Sequence, residues 1–378
     1  MSIDSKKKNR LFILGAGASK DHSSGIMPTT DNFLKKAREG DFFFWRPTPY
    51  PFADANNFQD TEKIIKRLFG INQIQPGDTS AKEKETTLKR VDQINIEELL
   101  TLATIFHQVD PRQPSEDNII QLILKTIDYY SEKVTSENGI FNKFVEGLNG
   151  DKDSIISFNW DILLDQLLPN YSPEPHSIPF SFYGQFINIC TAEQDDSWKS
   201  PVPYVLGQVD SNRRFKRKFG GNYIKLHGSV DLVNCKNNTC ENNQKPFVAT
   251  TPKDRNCCGI CHELLYPYII PPIQNKAIRD THYIRRSWTR TFELCQEADQ
   301  VIFWGYSLPV TDYWANLLVK KVWGGNCKEI IIINPSVQFQ DGKPNGDFVK
   351  RFCPDENVFQ KKISKKLFRY FKDYLKDV

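Results

Sequence analysis

Short apolar runs recur along the chain, and each ends in glycine, asparagine or histidine. Residues 11–14 lead into Gly15-Ala-Gly-Ala-Ser19, residues 155–158 into Asn159-Trp-Asp161, and residues 223–226 into His227-Gly-Ser229. Residues 300–304 lead into Gly305-Tyr-Ser-Leu-Pro309, and the nearly all β-branched 329–333 into Asn334-Pro-Ser336. Such runs have the length of strands, and β-branched runs suit a parallel sheet buried on both faces. Between them apolar residues recur at three- and four-residue steps, which predicts helices over 94–106, 119–134, 162–168, 283–298 and 311–323. Alternating strands and helices predict an α/β fold, a Rossmann-like doubly wound parallel sheet. Ligands of such sheets sit outside the carboxyl ends of the strands, so the five polar or glycine-rich segments share one functional edge.

Two stretches interrupt this pattern within a domain taken to span residues 1–378. Residues 34–150 combine a Pro-punctuated loop at 46–57, a Lys- and Thr-rich stretch at 78–89 and helical periodicity, and read as a mostly helical insertion. Residues 355–378 read as a C-terminal element built on an amphipathic basic helix at 358–375, an assembly surface or a helix packed on its own domain. Pro- and aromatic-rich loops occupy 169–203.

Composition narrows the class without naming a ligand. At 378 residues with 39% hydrophobic and 25% charged positions, the chain has material for a core and is neither disordered nor fibrous. Lys and Arg number 50 against 46 Asp and Glu, a net +4 that permits an anionic partner without demanding one. Basic clusters at 6–10, 213–218, 285–290 and 361–369 read as solvated faces, and no base-stacking or groove-reading motif supports direct sequence-specific nucleic-acid binding. No run approaches the roughly 20 apolar residues of a membrane span, and the one behind the lysine-rich start is too short for a secretory signal. A cytoplasmic protein is expected.

Five of the nine cysteines lie between Cys235 and Cys261, a clustering that in a reducing compartment reads as metal binding. Cys235-x4-Cys240 and Cys258-x2-Cys261 supply four thiolates for a structural zinc, in a small module over 230–268. Four protein ligands leave no open coordination position, which excludes a catalytic role for that metal. Cys257 is an alternative ligand to Cys258, and a loop of reduced cysteines is the plainer reading.

The remaining candidates each have a plain and a chemical reading. Gly15-x-Gly17 lets backbone N–H groups approach a pyrophosphate, or simply makes a tight turn. His227 at a strand end can serve as a general base or be structural. Asn159 and Asp161 can act on a ligand or cap the helix expected at 162–168. Gly305-Tyr-Ser307 can line a ligand or only open a helix.

Taken in order, these pieces resemble the sirtuin (silent information regulator) family. Gly15-Ala-Gly-Ala-Ser19 with Gly25-Ile-Met-Pro28 is similar to its first NAD-binding loop, and Phe158-Asn-Trp-Asp161 to its Asn-x-Asp motif. Lys225-Leu-His-Gly-Ser229 is similar to its catalytic-histidine motif, the cysteines fall where the family places zinc, and Gly305-Tyr-Ser-Leu-Pro309 and Ile333-Asn334 look like its later NAD-binding loops. The resemblance implies NAD as substrate. Asn159 would hold the ribose and a water, Asp161 would orient that asparagine, and His227 would be the general base. Gly15, Ala16, Gly17 and Ser19 with Gly305 and Ser307 would cradle phosphates, and Asn334 would meet the adenosine ribose. Protein-deacylating members carry Pro-Asp-Phe-Arg where this chain has Pro28-Thr-Thr-Asp-Asn-Phe33. The missing Arg speaks against a deacylase, and Trp160, the large insertion and the Tyr-Ser-Leu-Pro loop look more like the divergent sirtuin-like NADases of bacterial antiphage systems, some of which partner a HerA-type hexameric ATPase. The expectation is therefore an NAD hydrolase, homo-oligomeric and cytoplasmic. A deacylase and a non-enzymatic NAD- or ADP-ribose-binding scaffold are the alternatives.

Overall fold

The structure is a computed structural model. It describes residues 8–40, 59–71, 80–135, 139–148, 152–168, 181–182, 222–240, 243, 247–248, 258, 260–270, 282–309, 312–337, 339–340, 343–344, 351–352 and 364–377. Cys257, the basic turn at 213–218 and nearly all of the 169–203 loops lie outside these residues. The chain divides into two compact units, one of Met1–Ser23, Thr135–Ile270 and Gln274–Val378, the other of Ser24–Val134 and Pro271–Ile273.

The first unit holds a seven-stranded sheet, entirely parallel, in the order β12-β9-β8-β1-β2-β4-β3. β1 (Arg10–Leu14) lies at its centre, with β2 (Asp153–Ser157), β4 (Asn222–Lys225) and the two-residue β3 (Ser181–Phe182) to one side. β8 (Gln300–Trp304), β9 (Glu329–Ile333) and β12 (Ser364–Phe368) lie to the other. Four consecutive isoleucines in β9 are buried on both faces, as the all-apolar run predicted. The strand order reverses between β1 and β8, the switch point at which open α/β sheets place a ligand crevice at their carboxyl edge. Helices α1 (Ala16–His22), α7 (Ile140–Glu146), α8 (His282–Glu297) and α9 (Tyr313–Trp323) belong to this unit. A second, antiparallel sheet of order β6-β5-β7 joins β5 (Gly228–Cys235), β6 (Phe247–Val248) and β7 (Leu265–Ile269), and β10 (Phe339–Gln340) pairs with β11 (Lys343–Pro344).

The second unit is helical: α2 (Phe33–Glu39), α3 (Gln59–Phe69), α4 (Ala81–Asp92), α5 (Ile96–Val109) and α6 (Asp117–Glu132). Local sequence sets its helix starts. Ser80 and Glu83 form a reciprocal capping box on α4, and the Asn95 side chain accepts from Glu97 N at 2.9 Å to cap α5. Among the described residues, no helix is long and apolar enough to cross a membrane.

Three expectations change. The helical unit is bounded by Ser24 and Val134 rather than by 34–150, because α7 belongs with the sheet. Phe141 stacks on His22, and Phe144 meets Phe12 edge-on at 4.9 Å. Residues 358–375 do not form one helix: β12 pairs with β9, Ser364 opposite Glu329 through Phe368 opposite Ile333. Among the described residues of this stretch, Phe371–Tyr374 is helical (α10), and Phe371 stacks on Trp304 at 3.9 Å. The apolar spacing of 371 and 374 imitated a longer helix, whereas the lysines before it suit an edge strand. Residues 162–168 make turns and not an α-helix. The two carbonyls just ahead of it have other partners: Trp160 O accepts from Val230 N at 2.9 Å, and Asp161 O accepts from Lys225 Nζ at 2.6 Å.

Candidate active site and zinc module

All five polar segments leave the carboxyl ends of strands, and three backbone hydrogen bonds knit those nearest the crevice. Gly15 N donates to Trp304 O at 3.0 Å, Gly17 N to Gly305 O at 2.9 Å, and Gly305 N to Ile333 O at 2.8 Å. Gly305 has φ +64, and a Cβ there would stand 2.1 Å from Ala18 N, so only glycine fits. This alters the expected role of Gly15 and Gly17. Their N–H groups are engaged by the end of β8 and the loop after it. Asn334 fixes the same loop from the other side, its Nδ2 donating to Tyr306 O at 3.2 Å while its Oδ1 accepts from Ser336 N at 2.9 Å. Ser307 is exposed, and its carbonyl accepts from Arg351 Nη1 at 3.4 Å.

Asn159 is buried at the end of β2, and its Nδ2 donates to Ser19 Oγ at 2.9 Å. Ser19 also interacts with the Asp161 carboxylate, which favours its charged form. Asp161 also accepts from Leu163 N at 3.2 Å. Burial raises the Asp161 pKa above its ordinary value, against the opposing pull of the Lys225 ammonium and these hydrogen bonds. With Nδ2 engaged, the Asn159 Oδ1 atom is buried with no hydrogen-bond partner. A buried acceptor left open is costly in a protein interior and marks a place for a donor from elsewhere.

His227 lies in the turn between β4 and β5, and 1% of it is exposed. Its Nε2 is 2.9 Å from Asp312 Oδ2, also fully buried. The other Asp312 oxygen accepts from Ala315 N at 3.1 Å and caps α9. Phe158 meets the imidazole edge-on at 4.9 Å and stacks on Tyr306 at 4.3 Å, which links His227 to both the Asn159 segment and the β8 loop. The His227 carbonyl accepts from Trp160 Nε1 at 3.1 Å and from Ile270 N at 2.9 Å. Asp312 escaped the sequence reading because the helix was started at 311. An Asp directly ahead of a periodic apolar run is the cap signal that would have exposed it.

The four cysteines converge where β5 and β7 meet. Cys235, Cys240, Cys258 and Cys261 present sulfur atoms that all lie within 4.8 Å of one another, with Cys235 and Cys261 3.5 Å apart and Cys240 and Cys258 3.7 Å apart. A tetrahedron of thiolates about 2.3 Å from zinc has edges of about 3.8 Å, so the donor set fits a closed structural zinc site. β5 starts directly after His227 and ends at Cys235, so the module and the histidine turn are one continuous ribbon.

No family model and no curated protein sequence matches this chain. Solved structures that match include Sir2 homologues. A complex of a Sir2 homologue with NAD is 16% identical over 98% of this chain and 88% of that one, with a TM-score of 0.38. Sir2Tm bound to a propionylated peptide is 15% identical over 98% of this chain and 91% of that one, with a TM-score of 0.34.

Proposed function

We propose that this chain hydrolyses NAD at its nicotinamide–ribose bond, giving nicotinamide and ADP-ribose. The observation that carries the reading is the Asn159 amide, held by Ser19 with its buried carbonyl oxygen unpartnered beside the crevice. Breaking this bond builds positive charge on the ribose while a good leaving group departs, so the protein needs chiefly to position and to stabilise charge. Asn159 Oδ1 accepts from a ribose hydroxyl or from the attacking water, and Asp161 orients that amide through Ser19. His227 takes the proton of the water as its oxygen bonds to the ribose carbon. Asp312 holds the imidazole in place and stabilises it as it becomes charged. Ala16, Ser307 and the loop fixed by Asn334 line the dinucleotide, with Gly15, Gly17 and Gly305 shaping the floor. Zinc, when bound, supplies rigidity to the β5–β7 ribbon and no chemistry.

The resemblance of the motifs to stand-alone antiphage NADases gives this activity its setting. NAD depletion would be the effector step, carried out by a cytoplasmic homo-oligomer with a HerA-type hexameric ATPase as partner. The test is release of nicotinamide from NAD by the purified protein, alone and with that ATPase. Release that is lost in Asn159→Ala and His227→Ala is expected. Release that requires an acyl-lysine peptide would establish a deacylase instead. Tight NAD or ADP-ribose binding without turnover in either assembly would establish a scaffold.

A further inference from the structure

Lys225 ends β4 with its side chain fully buried. A buried ammonium must satisfy its protons within the protein. Its Nζ lies 2.6 Å from Asp161 O, 2.7 Å from Ser229 Oγ and 3.2 Å from Asp165 Oδ2. Asp165 supplies a counter-charge, and the Tyr223 hydroxyl donates to the same Oδ2 at 2.8 Å. The buried carboxylates of Asp161 and Asp231 also feel the Lys225 charge. The other two contacts join the two segments that carry Asn159 and His227, since Asp161 closes the first and Ser229 lies in the second. The same segments are tied by Val230 N donating to Trp160 O at 2.9 Å. An apolar side chain could fill this volume, but it could hold neither segment.

We propose that Lys225 is a positioning residue: its ammonium is the shared anchor that fixes the Asn159 segment against the His227 turn. It thereby sets the separation between the group that receives the ribose and the group that takes the proton. The proposal rests on the NAD-cleavage reading, and misplacing such groups by about 1 Å costs about 10²-fold in rate.

The test compares the full-length wild type with Lys225→Met/Asp165→Asn, which removes both charges of the pair, and with Ser229→Ala, which removes the Lys225 tether and the Ser229 Oγ bond to Trp160 O but no charge. Steady-state kinetics on NAD and hydrogen exchange at the Val230 amide are the readouts. The double variant is expected to lose about 10²-fold in kcat with KM within about twofold, because the dinucleotide still binds while the reacting groups drift. Its Val230 amide is expected to exchange faster while β9 amides keep their protection. Ser229→Ala shows the same pattern more weakly, and carries the test if the double variant does not fold. Unchanged kcat together with a protected Val230 in a folded variant overturns the proposal. Faster exchange at Val230 in a protein whose wild type never turns over NAD supports the anchor and overturns the NAD reading alone.

Discussion

His22 and His227 are both buried, and each packs its ring against a phenylalanine. His22 stacks on Phe141 with centroids 4.5 Å apart, and His227 meets Phe158 at 4.9 Å. They differ in what stands at the ring nitrogens. The Nδ1 of His22 accepts from Phe141 N at 3.3 Å, an interaction that needs a neutral ring, and burial pushes its pKa down to about 4. His227 has the Asp312 carboxylate 2.9 Å from Nε2. A backbone donor holds an imidazole as an acceptor; a carboxylate prepares it to receive a proton. Burial therefore makes the first histidine inert, and the same burial makes the second useful.

The sharpest way to break this comparison is to exchange the carboxylate. His227→Ala is expected to lower kcat for NAD cleavage by about 10³-fold, the scale of a general base. Asp312→Asn keeps an acceptor for Ala315 N but removes the charge, and is expected to lower kcat by about 10²-fold with an unchanged melting temperature. Measured alongside, His22→Phe should leave kcat per folded molecule as it is. A His22 variant that loses activity as steeply as Asp312→Asn would erase the distinction.

The zinc module sharpens the same contrast at lower amplitude, because its ribbon grows out of the His227 turn and not out of α1. One zinc per chain is expected by elemental analysis, lost in Cys235→Ser or on strong chelation. Loss should reduce kcat by about tenfold through a looser His227 turn. Full activity in a protein shown to be free of zinc would separate the module from the site.

How much of this was legible depends on range. The strands could be read because four or five apolar residues in a row carry their own signal, as the isoleucines of β9 do. Asn159, His227 and the cysteines stood out through residue type and position at strand ends. What could not be read was set by partners distant in sequence. The lysines of β12 look like a helix face until β9 presents an edge to them, and the turns after Asp161 look helical until Lys225 takes its carbonyl. The pairing of His227 with Asp312 is of this kind too, since 85 positions separate residues 227 and 312. Gly15 and Gly17 were recognised as special, but the reason lies in the backbone of Gly305.

The effect of His22 appears in stability alone. Its folded pKa of about 4 lies below its ordinary value of 6.5. Between these values the unfolded chain binds a proton that the folded chain refuses, so folding weakens as pH falls through that window. The loss levels off near pH 4, where both states are protonated, and amounts to up to about 3 kcal/mol. Denaturant unfolding at pH 7.5 and pH 4.5 measures it. His22→Phe should flatten the dependence while costing about 1 kcal/mol at neutral pH through the unanswered Phe141 N–H. An unaltered pH slope in that variant would mean that His22 is protonated in the fold, and that burial alone does not make it inert.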